Sequence, residues 1–226
     1  MSKHPPQFIL SLYGWTFWVP ILVLGVIGIC VPLLWGGTAA WCVSGIFAVL
    51  TCACLAFYRD LPRAVPQDAD IMVAPADGKV SEITHVDFYK PFNGPALKIG
   101  IFLSVLDVHV NRSPCEGVVL WTRYEEGCFL DARHPDCSTK NQSNTIALAR
   151  SKNGAATVVV KQIVGAIARR IIAPVTVGEK LGRGQRYGMI AIGSRTELYV
   201  PAEEKWSAAV ALGGHVKGGK DILLRK

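Results

Sequence analysis

AIGSRTELYVP, Ala191–Pro201, decides how this chain is read. Apolar residues run up to and through it: Met189, Ile190, Ile192, Leu198, Tyr199 and Val200. β-branched and aromatic side chains suit a pleated, half-buried surface, so the stretch predicts strand. Inside it stands Gly193-Ser194, a pair that ordinarily marks a turn. A strand is thus predicted to carry its most flexible peptide unit beside a bare hydroxyl.

The sequence upstream has the same β character. IMVAPADGKVSEITHV (71–86) reads as two strand-like runs about a turn at Asp77-Gly78. ALKIGIFLSV (96–105) predicts a buried strand, and GVVLWTRYEEG (117–127) alternates less cleanly. NTIALAR (144–150) and ATVVVKQIVGAIARRIIAPV (156–175) continue the β pattern, with a short helix over Val164–Ile172 as the alternative for Arg169 and Arg170. Gly178–Gly188 is a glycine-rich turn region leading into the opening strand. These runs predict an α+β domain, mainly antiparallel sheet.

Ahead of this domain the composition changes. Mean hydropathy over the 226 residues is +0.31, and no Lys, Arg, Asp or Glu occurs from His4 to Tyr58. A spanning helix needs ~20 apolar residues, so the segment holds two. They are predicted at about Tyr13–Leu34 and Thr38–Tyr58, joined by Trp35-Gly36-Gly37, with Trp and Tyr near their ends. A cleaved signal peptide is the alternative, but its apolar core would be only ~7–15 residues long. Residues 1–58 are therefore a transmembrane hairpin and 59–226 a separate domain. Lys3 precedes the hairpin, Arg59 and Arg63 follow it, and the connecting loop is uncharged. The positive-inside rule then expects the domain at the cytoplasmic face of the cytoplasmic membrane.

The formal charge of +7 suits anionic lipid headgroups better than nucleic acid in a tethered domain. Four of seven cysteines lie in the hairpin, and Cys115, Cys128 and Cys137 have no zinc-like spacing. No metal is expected, and no Walker loop or dinucleotide fingerprint is present.

Four polar clusters could carry chemistry. Pro75-Ala76-Asp77-Gly78 reads as a type I′ hairpin turn or as a placed carboxylate. Asp107-Val108-His109-Val110-Asn111-Arg112 follows a buried strand, which would hold His109 rigidly. Asn141-Gln142-Ser143-Asn144 says little as a bare loop. For Gly193-Ser194 a hydrolase nucleophile elbow is a poor match, because GxSxG before a helix is missing. Plain structure is a second reading. The third uses the peptide bond: the Ser194 hydroxyl attacks the Gly193 carbonyl, unhindered because glycine has no Cβ. The resulting ester loses its acyl group by β-elimination, and the dehydroalanine left behind hydrolyses to a pyruvoyl group. Such a ketone condenses with a substrate amine, and the imine accepts the electrons left by departing carbon dioxide.

FYRDLPR, PADGKV, FLSVLDVHVNRSPCEG, VKQIVGAIARRI and GQRYGMIAIGSRTELYVP, spread over about residues 57–201, together resemble the phosphatidylserine decarboxylase proenzymes of the short bacterial and archaeal type. The resemblance implies self-cleavage between Gly193 and Ser194 into a β chain, 1–193, and an α chain, 194–226, that begins with pyruvoyl. The substrate would be phosphatidylserine, the product phosphatidylethanolamine. Asp77 matches the aspartate that serves self-cleavage, and His109 the histidine of the decarboxylation step, here assigned as proton donor. Longer members carry a second His where this chain has Arg112. That change leaves the base for Ser194 as either His109 or Asp77, and makes Arg112 a candidate ligand for substrate phosphate or carboxylate. Partners are then the membrane, its anionic lipids, the β/α pair and, in principle, a homo-oligomer.

Overall fold

The computed structural model describes residues 7–150, 157–167, 170–191 and 193–226. Lys3, Arg169 and Ile192, used in the sequence reading, lie outside these. The chain divides into two compact units, residues 7–61 and Pro62–Lys226.

In the first unit, α1 (Trp15–Trp35) and α2 (Gly37–Phe57) form an antiparallel helical pair. Both are long and apolar enough to cross a membrane. Leucine-like surfaces give no hydrophobic drive between helices in lipid, so small residues set the contact. A Cβ on Gly25 would overlap Thr51, and one on Gly28 would overlap the Phe47 ring. Ser44 Oγ donates to the Gly28 carbonyl at 2.9 Å. Gly36 and Gly37 turn the chain with φ of 60° and 80°, angles that strain any residue with a Cβ.

The second unit is mostly strand. In order these are β1 (Ile71–Val73), β2 (Gly78–Tyr89), β3 (Gly94–Leu103), β4 (Val110–Arg112), β5 (Gly117–Glu125), β6 (Ser143–Ala149) and β7 (Val158–Ile163). There follow β8 (Ile171–Ile172), β9 (Lys180–Leu181), β10 (Arg186–Ile190), β11 (Ser194–Pro201), β12 (Ser207–Ala208), β13 (His215–Val216) and β14 (Ile222–Arg225). A single helical turn, α3 (Cys137–Lys140), precedes β6. Eight strands form one sheet in the order β13-β2-β3-β11-β7-β6-β5-β9, and two three-stranded sheets, β1-β14-β12 and β4-β10-β8, complete the unit. Every pairing is antiparallel. The α+β, mainly antiparallel fold behind an apolar hairpin is the one the sequence predicts.

β11 lies at the centre of the large sheet, between β3 and β7, and is buried on both faces. Leu198 and Val200 pack into the main apolar core with Ile99, Ile101, Val158 and Val160. Successive side chains alternate across a sheet, so Arg195, Glu197 and Tyr199 face the other way. There Lys98 Nζ meets Glu197 at 3.1 Å and Glu82 at 3.0 Å, and Arg195 Nε meets Glu197 at 2.8 Å. Burial opposes the Glu197 charge, but Lys98 and Arg195 outweigh it and hold the carboxyl below its usual range. The helical turn α3 lies against these charged residues, with Ser138 Oγ donating to Glu197.

Two local expectations change. Asp77-Gly78 does not close a hairpin: β1 pairs with β14, while β2 pairs with β3 and β13. The turn passes the chain between sheets, and a Cβ on Gly78 would overlap the Phe102 carbonyl of β3. AIGSRTELYVP is likewise not one interrupted strand: β10 and β11 belong to different sheets, and Gly193 lies in the crossing. Where Val164–Ile172 is described it holds β8 and no helix.

Candidate active site

The crossing from β10 to β11 is where the candidate chemistry gathers. Ala191 N–H donates to the Arg170 carbonyl at 3.0 Å. Gly193 then takes φ of 64°, in the left-handed region open to glycine. Its N–H donates to Nε2 of His109 at 3.2 Å. His109 is fully buried just before β4, and its Nδ1 lies 2.9 Å from the Asp107 carbonyl. A carbonyl only accepts, so Nδ1 carries the proton and Nε2 the lone pair facing Gly193. Asp107 is itself fixed: Ser104 donates both its N–H (2.8 Å) and its Oγ–H (2.7 Å) to the carboxylate, and His215 Nε2 meets it at 2.8 Å.

Ser194 opens β11 opposite Leu103 of β3. It is fully buried, yet its Oγ has no hydrogen-bond partner among the described residues. Leaving a buried hydroxyl unsatisfied costs about 1–3 kcal/mol, and such groups in native structures call for a functional or structural reason. Beside it, Gly165 lies against the Gly193 carbonyl: a Cβ there would overlap that oxygen and stand 3.3 Å from the Ala132 Cβ. The Gly193 carbonyl is thus closely packed on one side, while the Ser194 hydroxyl has no hydrogen-bond partner among the described residues.

Asp77 reaches the same region by another route. Its Oδ2 accepts from Arg63 Nη2 at 2.6 Å and its Oδ1 from the Gly218 N–H at 2.7 Å. Burial pushes the Asp77 carboxyl above its ordinary range; Arg63 and the Gly218 N–H pull it back, and the nearby Asp107 charge adds to the rise. Pro75, in the same turn, accepts the Arg112 N–H at 2.8 Å, which ties the turn to β4. Arg63 entered the sequence reading as an orientation charge and as the last residue of FYRDLPR; nothing in its spacing marks it as the partner of Asp77.

Arg112 lies on β4 with its side chain opposite to that of Asn111. It is buried, with Nη1 donating to the Gly184 carbonyl at 3.2 Å and its stem under Gly219, where a Cβ would come 2.7 Å from Cδ. The structure therefore brings His109 directly onto the Gly193-Ser194 unit, sets Asp77 close by, and aims Arg112 towards Gly184.

A buried polar chain runs beneath this unit, and sequence reasoning missed it. Thr122 Oγ1 donates to Asn144 Oδ1 (3.3 Å), Asn144 to Gln162 Oε1 (3.2 Å), Gln162 to Asn111 Oδ1 (2.8 Å) and Asn111 to Thr196 Oγ1 (3.0 Å). The bonds all run in one direction, so each amide fixes the orientation of the next. Asn111 thereby joins the segment bearing His109 to the strand bearing Ser194. A lone Gln inside the apolar run VVVKQIV was the available signal. Asn141 of the third polar cluster ties loops together, donating to the carbonyls of Leu130 (2.9 Å) and Val164 (2.8 Å). Among the described residues, no three His, Cys, Asp or Glu side chains gather as metal ligands.

Comparison with known proteins gives this arrangement a family. The model of the family described as phosphatidylserine decarboxylase matches residues 50–224. A protein of Carboxydothermus hydrogenoformans named phosphatidylserine decarboxylase proenzyme is 39% identical over 218 residues, covering 96% of this chain and 97% of that one. Proteins of the same name from Burkholderia mallei and Paraburkholderia phymatum are 37% and 36% identical, each over 96% of this chain and at least 95% of their own length. The matched span holds the left-handed glycine, the unbonded serine hydroxyl and both candidate acid–base groups. The chain belongs to the phosphatidylserine decarboxylase family and is a decarboxylase of phospholipid biosynthesis.

Proposed function

We propose that this chain cleaves its own Gly193–Ser194 bond, turns Ser194 into a pyruvoyl group, and decarboxylates phosphatidylserine to phosphatidylethanolamine. The observation that carries the reading is the buried, unbonded Ser194 hydroxyl next to a left-handed Gly193 whose N–H rests on His109. Ser194 Oγ adds to the Gly193 carbonyl carbon, the C–N bond breaks, and the freed nitrogen takes a proton. Loss of the Ser194 α-proton then expels Gly193 as a carboxylate. Water replaces nitrogen, released as ammonia, and a keto group remains.

The site fits that group. The Ser194 side chain meets no donor or acceptor among the described residues, so removing its hydroxyl forfeits no hydrogen bond there. Once formed, the ketone supplies an electron sink for an amine-bearing acid. His109 is assigned to supply the proton that replaces the carboxylate at the substrate α-carbon. Asp77 is assigned to self-cleavage as a carboxylate, and Arg112 stays a candidate for the substrate's phosphate or carboxylate. The two pieces remain joined, since β11 is bonded to β3 and β7, β13 to β2 and β14 to β1. Arg59 and Arg63 after the second helix support a cytoplasmic domain on an anchored chain.

The test is the wild-type chain itself. It is expected to run as two pieces on a denaturing gel, 1–193 and 194–226, with the smaller blocked to Edman degradation. An intact chain with full decarboxylase activity would end the proposal.

The role of Asp77 carries a pH signature. Self-cleavage that needs its carboxylate rises as pH passes upward through the Asp77 pKa. Arg63 pulls that pKa down, so Arg63→Gln makes the carboxyl titrate at higher pH. The rising limb of the cleavage–pH profile is expected to move to higher pH in Arg63→Gln, and to vanish in Asp77→Asn. A limb that stays in place, followed by single-turnover gels across pH, would remove Asp77 from the step.

A further inference from the structure

The end of the large sheet that carries Ser194 has an unusual surface. The register places Lys79, Leu103, Ser143, Ile163 and Ser194 at this same end. Among the described residues of the domain, eight large hydrophobic side chains are exposed; four stand on loops at this end, and Leu212 stands on the adjoining turn beside the start of β2. Val105 and Leu106 follow β3, Phe129 lies between β5 and β6, Ile167 follows β7, and Leu212 precedes β13. Leu106 is 83% exposed, Leu212 67% and Ile167 65%. Single exposed apolar residues are ordinary, but a concentration of them marks an interaction site.

These loops are joined through the site. Ala132, three residues after Phe129, lies by Gly165; Gly165 lies on the Gly193 carbonyl; Gly193 bonds His109. His109 bonds the carbonyl of Asp107, next to Leu106, and the Asp107 carboxylate bonds His215, three residues after Leu212. Exposed cations share the same end: Lys79, Arg170 and Lys217. Of the exposed carboxylates on the β5–β6 loop, Asp131 is taken up by Arg133 at 2.7 Å, and Glu126 lies three residues before Phe129.

We propose that this rim docks onto a lipid bilayer, with Leu106, Ile167 and Leu212 inserted at the headgroup level around the entrance to Ser194. The inference rests on the proposed function: a substrate held in a bilayer has to bring its headgroup to a buried residue at the sheet end. Apolar residues for the acyl boundary, with cations for anionic headgroups, are the composition of an interfacial surface. The apolar hairpin restrains the domain near such a surface, and the rim would orient it.

The test uses the full chain in phosphatidylcholine vesicles containing phosphatidylserine. The variant Leu106→Ser/Ile167→Ser/Leu212→Ser is expected to self-cleave normally and to lose about tenfold or more of its activity on vesicle phosphatidylserine. Its turnover of a short-chain, monomeric phosphatidylserine should stay within about twofold of wild type, since that substrate needs no docked surface. Separately, Leu106→Trp should add blue-shifted emission that brominated lipid quenches, measured as the difference from the six native tryptophans. Equal loss on both substrates, unchanged vesicle activity, or an unquenched Trp would overturn the rim. So would cross-linking of Leu106→Cys between two copies, which makes the face a protein interface. Failure of wild type on either lipid would instead strike the proposed function, and quenching would still decide the rim.

Discussion

Ser194→Ala is expected to remain a single 226-residue polypeptide and to show no decarboxylation. In the proposed mechanism the hydroxyl attacks the Gly193 carbonyl and then departs with it, which opens the way to the ketone, so its loss removes two steps at once. Activity should fall by at least about 10⁴-fold, the scale of losing a covalent catalytic group. The fold gives this variant a second signature. Ser194 Oγ is buried and unbonded, so deleting it relieves a desolvation cost of about 1–3 kcal/mol. Relative to the uncleaved precursor, Ser194→Ala should melt a few degrees higher, at roughly 2–4 °C per kcal/mol for a chain of this size. A merely structural serine would give the opposite: loss of stability and normal processing. Mass spectrometry and thermal melting of one preparation separate the two.

Gly165→Ala is expected to slow self-cleavage strongly without removing any group that reacts. The added methyl would overlap the Gly193 carbonyl oxygen, and Ala132 closes the other side at 3.3 Å. The obstacle is backbone, so no side-chain rotation removes it. Either the loop around Gly165 or the Gly193 turn has to move, and overpacking of this kind costs about 1–3 kcal/mol. A displacement of the reacting carbonyl by ~1 Å is enough to slow an aligned reaction about 10²-fold. The precursor should therefore accumulate in a time course of freshly made protein. Ala166→Ser, at the exposed neighbouring position, should process like wild type. Normal processing of Gly165→Ala would show that the carbonyl need not lie where the structure puts it.

Much of this was legible in the sequence because it depends on local pattern. A stretch from His4 to Tyr58 without Lys, Arg, Asp or Glu is long enough for two apolar helices, and both fall within two residues of their expected starts and ends. The β runs were visible from their branched and aromatic residues. Gly193-Ser194 was visible because a turn pair in a strand contradicts its surroundings. Pairing was not legible: Asp77-Gly78 looks like a hairpin turn, yet its flanking strands enter different sheets. Nor was the fate of Glu197, Arg195 and Lys98: Glu197 and Arg195 are buried and Lys98 partly so, because the two cations neutralise Glu197 under a helical turn distant in sequence.

The sequence by itself determined the two apolar helices, the strands and the Gly193-Ser194 pair that stands out among them, because composition and periodicity act over a few neighbouring residues. Only the tertiary structure decided what surrounds that bond. It set His109 on the Gly193 N–H, Gly165 on the carbonyl, Arg63 on Asp77, and the line of amides from Thr122 to Thr196 beneath them. Each of those contacts joins segments from different strands or loops. A hydrogen bond depends on distance and direction in space, which spacing along a chain does not contain.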